Sequence, residues 1–137
     1  MTAEVPECHE SFHANGKLQM RWFRVNDKLH RTDGPACEHW DAGGRLDQRQ
    51  FWVNGKLHRT GGPALELWKT YGSPIRAFWV NGKRMTEEDF LAWQRQQREL
   101  AALVFALEHK FPAEVPEREF LRHILPAFVA GGSGHLN

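Results

Sequence analysis

Over residues 7–86 apolar and polar positions alternate in short runs, each broken by asparagine or glycine; beyond Met85 the apolar positions fall three and four apart instead. Alternation with a period of two predicts strands, and the longer spacing predicts helix. The stretch Arg49-Gln-Phe-Trp-Val-Asn-Gly-Lys-Leu-His58 has a strand pattern on either side of Asn54-Gly55. Asn-Gly readily takes the positive φ angles of a two-residue hairpin turn, so this stretch predicts a hairpin. Asn26-Asp27 and Asn81-Gly82 occupy the same place after Phe-x-Val, and Asn15-Gly16 and Gly43-Gly44 mark further two-residue turns. After Thr86-Glu-Glu-Asp89, a capping box in form, Phe90, Trp93, Leu100, Val104, Leu107 and Phe111 predict a helix over 87–110, with Gln97 interrupting the stripe and Pro112 ending it. A second helix is expected from near Pro116, carrying Phe120, Leu121, Ile124 and Leu125 as far as Pro126, and the tail GGSGHLN is expected to be disordered.

The strand region repeats itself. Glu10, Glu38 and Glu66 recur every 28 residues, as do Gly16, Gly44 and Gly72, while Arg21, Arg49 and Arg76 follow at 28 and then 27. Phe12, Trp40 and Trp68 are equivalent, and so are Phe23, Phe51 and Phe78. Three units result, at about 7–34, 35–62 and 63–86. The fold class expected is therefore α+β: a repeat-built antiparallel β-meander sheet of about eight or nine strands, three units of about 28 residues, followed by a C-terminal helical pair. The domain division is 1–86 for the sheet, 87–130 for the helices and 131–137 for the tail. Counting outward from the turns places Glu10 opposite Arg21, Glu38 opposite Arg49, Glu66 within reach of Arg76, Ala36 and His58 opposite Phe51, and His30 opposite Phe23. Columns that recur as cross-strand pairs are scaffold, since each unit needs the same pairs and a catalytic site is needed once.

The motif Asn-Gly-Lys-Leu-His-Arg-Thr-x-Gly-Pro-Ala, with Trp/Phe-x-Val-Asn-Gly-Lys before it, resembles the MORN-type β-hairpin repeats, and more closely their divergent variant in phage, giant-virus and bacterial proteins. The resemblance covers roughly residues 7–86. It implies a twisted single-layer sheet of stacked hairpins used for protein or lipid contacts, without catalytic residues to carry over. The period is longer here than in most MORN proteins and their Gly-x-Gly ending is missing.

Composition narrows the functional classes. With 137 residues, 41% hydrophobic and 26% charged, the chain is long enough for one core, and a formal charge of +1 gives no strong field to gather nucleic acid or an anionic membrane. No basic leader and no run of about eighteen apolar residues occurs, so a cytoplasmic protein without membrane contact is expected. Cys8 and Cys37 are expected to be reduced thiols. Cys8, His9, Glu10 and Cys37, Glu38, His39 are zinc-ligand types, but no Cys-x-x-Cys spacing exists and alternation sends Cys8 and His9 to opposite faces, so neither metal nor other cofactor is expected. The Gln94–Arg98 run reads as a solvated helix face, and phosphate-binding loops and nucleophile motifs are missing.

What is left is a non-enzymatic protein-binding module. Its expected surface is the sheet side carrying Trp40, Trp68, Phe51 and His58 with the Glu and Arg columns, Arg49 among them. If the helices cover that side, the surface becomes the Trp52 and Trp79 side. The helical stripe is expected to pack on one sheet face, with Trp52, Trp79, Leu57, Leu65, Leu67 and Ile75 as acceptors; the second reading is a homodimer or partner interface through Leu100–Leu107 and Phe120–Phe128. The viral setting of the similar repeats implies a phage or prophage accessory protein that binds and inhibits a host defence protein. Two alternatives are nucleic-acid contact through Arg21, Arg24, Arg45, Arg49 and Arg76, and a small hydrolase using Glu38 and Glu66.

Overall fold

The computed structural model describes residues 4–110. The helix expected near Pro116, Phe111 and the tail therefore lie outside the described residues. The chain divides into two units between Thr86 and Glu87. In the first are ten short strands: β1 (Glu7–Phe12), β2 (Leu18–Val25), β3 (Lys28–Leu29), β4 (Cys37–Trp40), β5 (Leu46–Gln50), β6 (Trp52–Val53), β7 (Lys56–Leu57), β8 (Leu65–Leu67), β9 (Ile75–Val80) and β10 (Lys83–Met85). In the second is α1 (Glu87–Lys110), over the range its periodicity predicts.

All pairings are antiparallel, but the plain meander needs correcting. The main sheet runs β1-β2-β4-β5-β8-β9-β10 with β3 attached to β2, while β6 and β7 form a separate two-stranded ribbon. β3 and β4 share one edge of β2: Arg24 and Val25 pair with Leu29 and Lys28, and Met20 to Trp22 pair with His39 to Cys37. A tight turn returns the chain for only two residues before the Arg31–Pro35 segment carries it away. The space this leaves on β2 is filled by the next strand.

Ala36 and Ala64, both fully buried, sit where these paths meet. The Ala36 carbonyl accepts from Phe23 N–H at 2.9 Å while its own N–H reaches the Gln50 carbonyl; Ala64 bonds Phe51 and Ala77 in the same way, at 2.8 and 2.9 Å. Three segments converge on one residue each time.

The broad hairpins also differ from their expected turns. Asp41 N–H donates to the Arg45 carbonyl at 2.8 Å, so the loop between them has three residues rather than two, with Gly44 in the left-handed region at φ 92°. The Asp41 carboxylate accepts from Gly43 and Arg45 N–H, and the Arg45 bond is the chief cause holding it below the usual carboxylate range. A bulge between His39 and Trp40 then shifts the register by one, so Glu38 lies opposite Arg49 as the two-residue count predicts. The same loop and bulge occur at His13–Lys17, and there Glu10 lies opposite Arg21. The narrow turns keep two residues: Asn54 and Gly55 have φ 52° and 78°, and Asn26, Asp27, Asn81 and Gly82 are likewise positive.

In the first unit the buried apolar side chains are few: Ala36, Cys37, Ala64, Ala77, Phe78, Val80 and Met85. Most other strand residues are half-buried. α1 begins with Glu87, Glu88 and Asp89 and ends with His109 and Lys110, both favourable to its dipole. Phe90 and Trp93 are buried and stacked at 5.8 Å; Leu100, Val104 and Leu107 are half-buried, and Leu103 and Phe105 are exposed. Among the described residues no helix is long and apolar enough to cross a membrane.

Gly55 and Gly61 make a controlled comparison. A side chain at Gly55 must adopt a positive φ, whereas at Gly61 the angle is ordinary and a Cβ would meet nothing within 4 Å. Gly55→Ala is expected to destabilise the fold by about 1–2 kcal/mol, and Gly61→Ala to be neutral or stabilising by up to about 1 kcal/mol. Urea unfolding midpoints check both.

Candidate functional site

One row of side chains crosses six strands. Glu10, Arg21, Glu38, Arg49, Glu66 and Arg76 are successive register partners from β1 through β2, β4, β5 and β8 to β9, so the sign of charge alternates at each step. The side-chain bonds are more selective than the register. Arg21 bonds Glu10 at 2.9 Å, and Arg49 bonds Glu66 at 2.6 Å rather than Glu38. Glu66 also takes Arg59 at 3.2 Å, and no bond among the described residues joins it to the exposed Arg76. Among the described residues Glu38 has Arg31 nearby, at 4.0 Å. The two partners of Glu66 lie on β5 and beyond β7, and its side chain is only 11% exposed.

Aromatic rings extend the row. Arg21 lies over Trp40 at 5.5 Å, Arg49 over both Phe51 and Trp68 at 5.5 Å, Arg31 over Phe23 at 4.1 Å and Arg59 over Phe51 at 3.9 Å. These distances are within the range where a guanidinium is attracted to a ring face. Trp40, Trp68, Phe51 and Arg49 are thus brought together on one face, half-buried and oriented by each other.

His58 has another task. Its N–H donates to the Phe51 carbonyl at 2.9 Å, and its ring Nδ1 accepts the N–H of Asn81, at the next narrow turn, at 2.9 Å. His30 does the same for Asn54 at 3.0 Å. Backbone bonds from Gly55 to the Leu29 carbonyl and from Gly82 to the Leu57 carbonyl run beside them. The histidine column therefore joins each hairpin to the following one, and accepting at Nδ1 puts the proton of a neutral ring on Nε2. Burial pushes His58 below the ordinary imidazole pKa.

Trp52 and Trp79 lie apart from this row. Trp52 Nε1 donates to Gln50 Oε1 at 2.8 Å, whereas Trp79 Nε1 is buried without a partner among the described residues. Of the other apolar residues of shared parity, Ile75 is exposed and Leu57, Leu65 and Leu67 are half-buried. Cys8 is exposed; Cys37 is buried, and burial followed by the charge of Glu38 raises its thiol pKa. Among the described residues no group of three or more His, Cys, Asp or Glu is placed to hold a metal ion.

The sequence reading overlooked Arg31 and Arg59. Each donates through Nη1 to a proline carbonyl four residues on, Pro35 at 3.2 Å and Pro63 at 3.1 Å. Gly34 and Gly62 make room for them: a Cβ there would stand 3.1 Å from Arg31 Cζ and 3.3 Å from Arg59 Nη1. Burial, then the charge of Arg49, lowers the Arg59 pKa. Between the two arginines opens a cleft of about 340 Å³ lined by Arg31, Thr32, Gly34, Phe51, Val53, His58, Arg59 and Thr60. The signal was the recurrence of His-Arg-Thr-x-Gly-Pro-Ala at residues 30–36 and 58–64. The chain matches no protein-family model, no curated protein and no solved structure.

Two outcomes follow from these contacts. Glu66→Gln leaves two part-buried guanidiniums without their carboxylate and is expected to cost about 1–3 kcal/mol, whereas Glu10→Gln, at a site 38% exposed, is expected to cost less than about 1 kcal/mol; chemical denaturation ranks them. His58 has a folded pKa below its unfolded value of 6.5, so its contribution is fully present above that pH and is lost as pH falls through the folded pKa. The urea midpoint should therefore decline on acidification from neutral pH. His58→Asn, whose amide oxygen can still accept from Asn81, should show a shallower decline.

Proposed function

We propose that residues 7–86 are a three-unit hairpin-repeat scaffold whose Trp40–Phe51–Trp68 face binds a protein partner. The observation that carries this reading is the line of part-exposed rings held by Arg21, Arg49 and Arg59 at 3.9–5.5 Å. Tryptophan and arginine are the residues richest in binding energy at protein interfaces, and side chains already fixed lose little entropy on binding. The equivalent bonds of His30 and His58, 28 residues apart, favour the repeat reading of the sheet, as does the resemblance to MORN-type repeats. The viral setting of that family makes a host defence protein the partner to seek first.

Alternation of charge along the row is a poor track for a continuous phosphate backbone, which favours a protein over nucleic acid. Glu66, bonded to two arginines, is a weaker general base than an unpaired carboxylate, which disfavours the hydrolase reading.

Tagged protein incubated with host lysate is expected to retain one partner stoichiometrically and independently of nuclease. A Trp40→Ala/Trp68→Ala double mutant with unchanged circular dichroism should lose at least about tenfold of that affinity. Nuclease-sensitive capture alone would sink the proposal.

A further inference from the structure

We propose that the cleft between Arg31 and Arg59 is an anchor pocket for a carboxylate-bearing side chain of the partner. This assignment rests on the protein-binding reading above and names the chemistry of the partner.

The lining contains two guanidiniums, two threonines and one histidine, but no carboxylate. An arginine offers five N–H donors. Arg31 uses Nε on Asp33 at 2.9 Å and Nη1 on the Pro35 carbonyl; Arg59 uses Nη1 on the Pro63 carbonyl and Glu66. Neither Nη2 group takes a bond among the described residues, and nor does Arg59 Nε. Stacking on Phe23 and Phe51, with Gly34 and Gly62 close against the guanidiniums, fixes these donors before any ligand arrives. Carboxylates suit this arrangement, because planar two-oxygen acceptors match the guanidinium fork.

Asp33 supports the assignment from inside the chain. It is an 83%-exposed carboxylate already resting on Arg31, so this group attracts the ligand type proposed. In the second copy of the motif, at residues 58–64, the equivalent position is Gly61, and Arg59 lacks that local acid. Phe51 and Val53 supply apolar wall for a residue beside the acid. The volume lies at the low end of ligand pockets, about 300–1,000 Å³, and suits one or two side chains.

The test titrates the isotope-labelled full chain with Ac-Phe-Glu-NH2, Ac-Phe-Gln-NH2, inorganic phosphate and a thymidine decanucleotide, following amide and arginine Nε–H resonances. The glutamate peptide is expected to shift Thr32, Gly34, Thr60 and Arg59 Nε–H at roughly millimolar concentration, and to bind at least about tenfold more tightly than the glutamine peptide. Arg59→Gln should weaken it comparably. Gly61→Asp, which adds an internal acid where a Cβ meets no obstacle, should weaken it too while leaving the fold intact. Equal binding of the glutamine peptide, no effect of Gly61→Asp, or phosphate or oligonucleotide shifting the same resonances more strongly than the glutamate peptide would overturn the assignment. Capture of a partner that depends on Trp40 and Trp68 but is not competed by the glutamate peptide would overturn the cleft alone, whereas loss of all capture would remove the protein-binding reading with it.

Discussion

The first unit depends on the pair of bonds that ties the Asn54–Gly55 and Asn81–Gly82 turns to the strand end before each. Asn54 N–H meets His30 Nδ1 while Gly55 N–H meets the Leu29 carbonyl, and Asn81 and Gly82 repeat this against His58 and Leu57. A tight hairpin leaves both N–H groups of its central residues pointing away from its own ladder. Alone, such a ribbon is marginal in water. Supplying acceptors from the preceding hairpin turns isolated ribbons into a stack, and the positive φ at Asn54 and Asn81 is what aims the donors. One donor of each of these turns thus meets a backbone carbonyl and the other an imidazole. After the Asn81–Gly82 turn Met85 stands where the histidine would be, buried, and no further narrow turn follows among the described residues.

Below the turns the chain is held differently. Ala36 and Ala64 bond strands on two sides, and the broad hairpin loops are linked by Asn15 to the Ala42 carbonyl at 2.8 Å and Lys17 to the Gly43 carbonyl at 3.3 Å. A sheet with so few buried apolar residues draws little from hydrophobic burial per strand. Its regularity comes from hydrogen bonds, and its cross-strand charges face one another with opposite signs, a pattern that penalises any slip by one strand or one residue.

The same constraints bear on the proposed function. Rings and guanidiniums of the row are part-exposed. The Arg-over-Phe stacks need the glycines behind them and the proline carbonyls ahead of them, so the motif His-Arg-Thr-x-Gly-Pro-Ala shapes the cleft wall and the inter-hairpin link with one stretch of chain.

The sequence by itself determined the local structure: the antiparallel strands, the positive-φ narrow turns, the pairing of Glu10 with Arg21 and Glu38 with Arg49, and the helix over Glu87–Lys110. These follow from period and turn chemistry, which act within a few residues. It also placed the broad turns, although their three-residue loops were concealed by a bulge that restores the same register. The tertiary structure alone decided that β6 and β7 leave the main sheet, that Arg49 selects Glu66, that histidine serves the following turn, and that Arg31 and Arg59 flank a cleft. The last three depend on side-chain reach between segments about 17 to 28 residues apart, and alternation records which face a residue occupies without recording which neighbour on that face it meets.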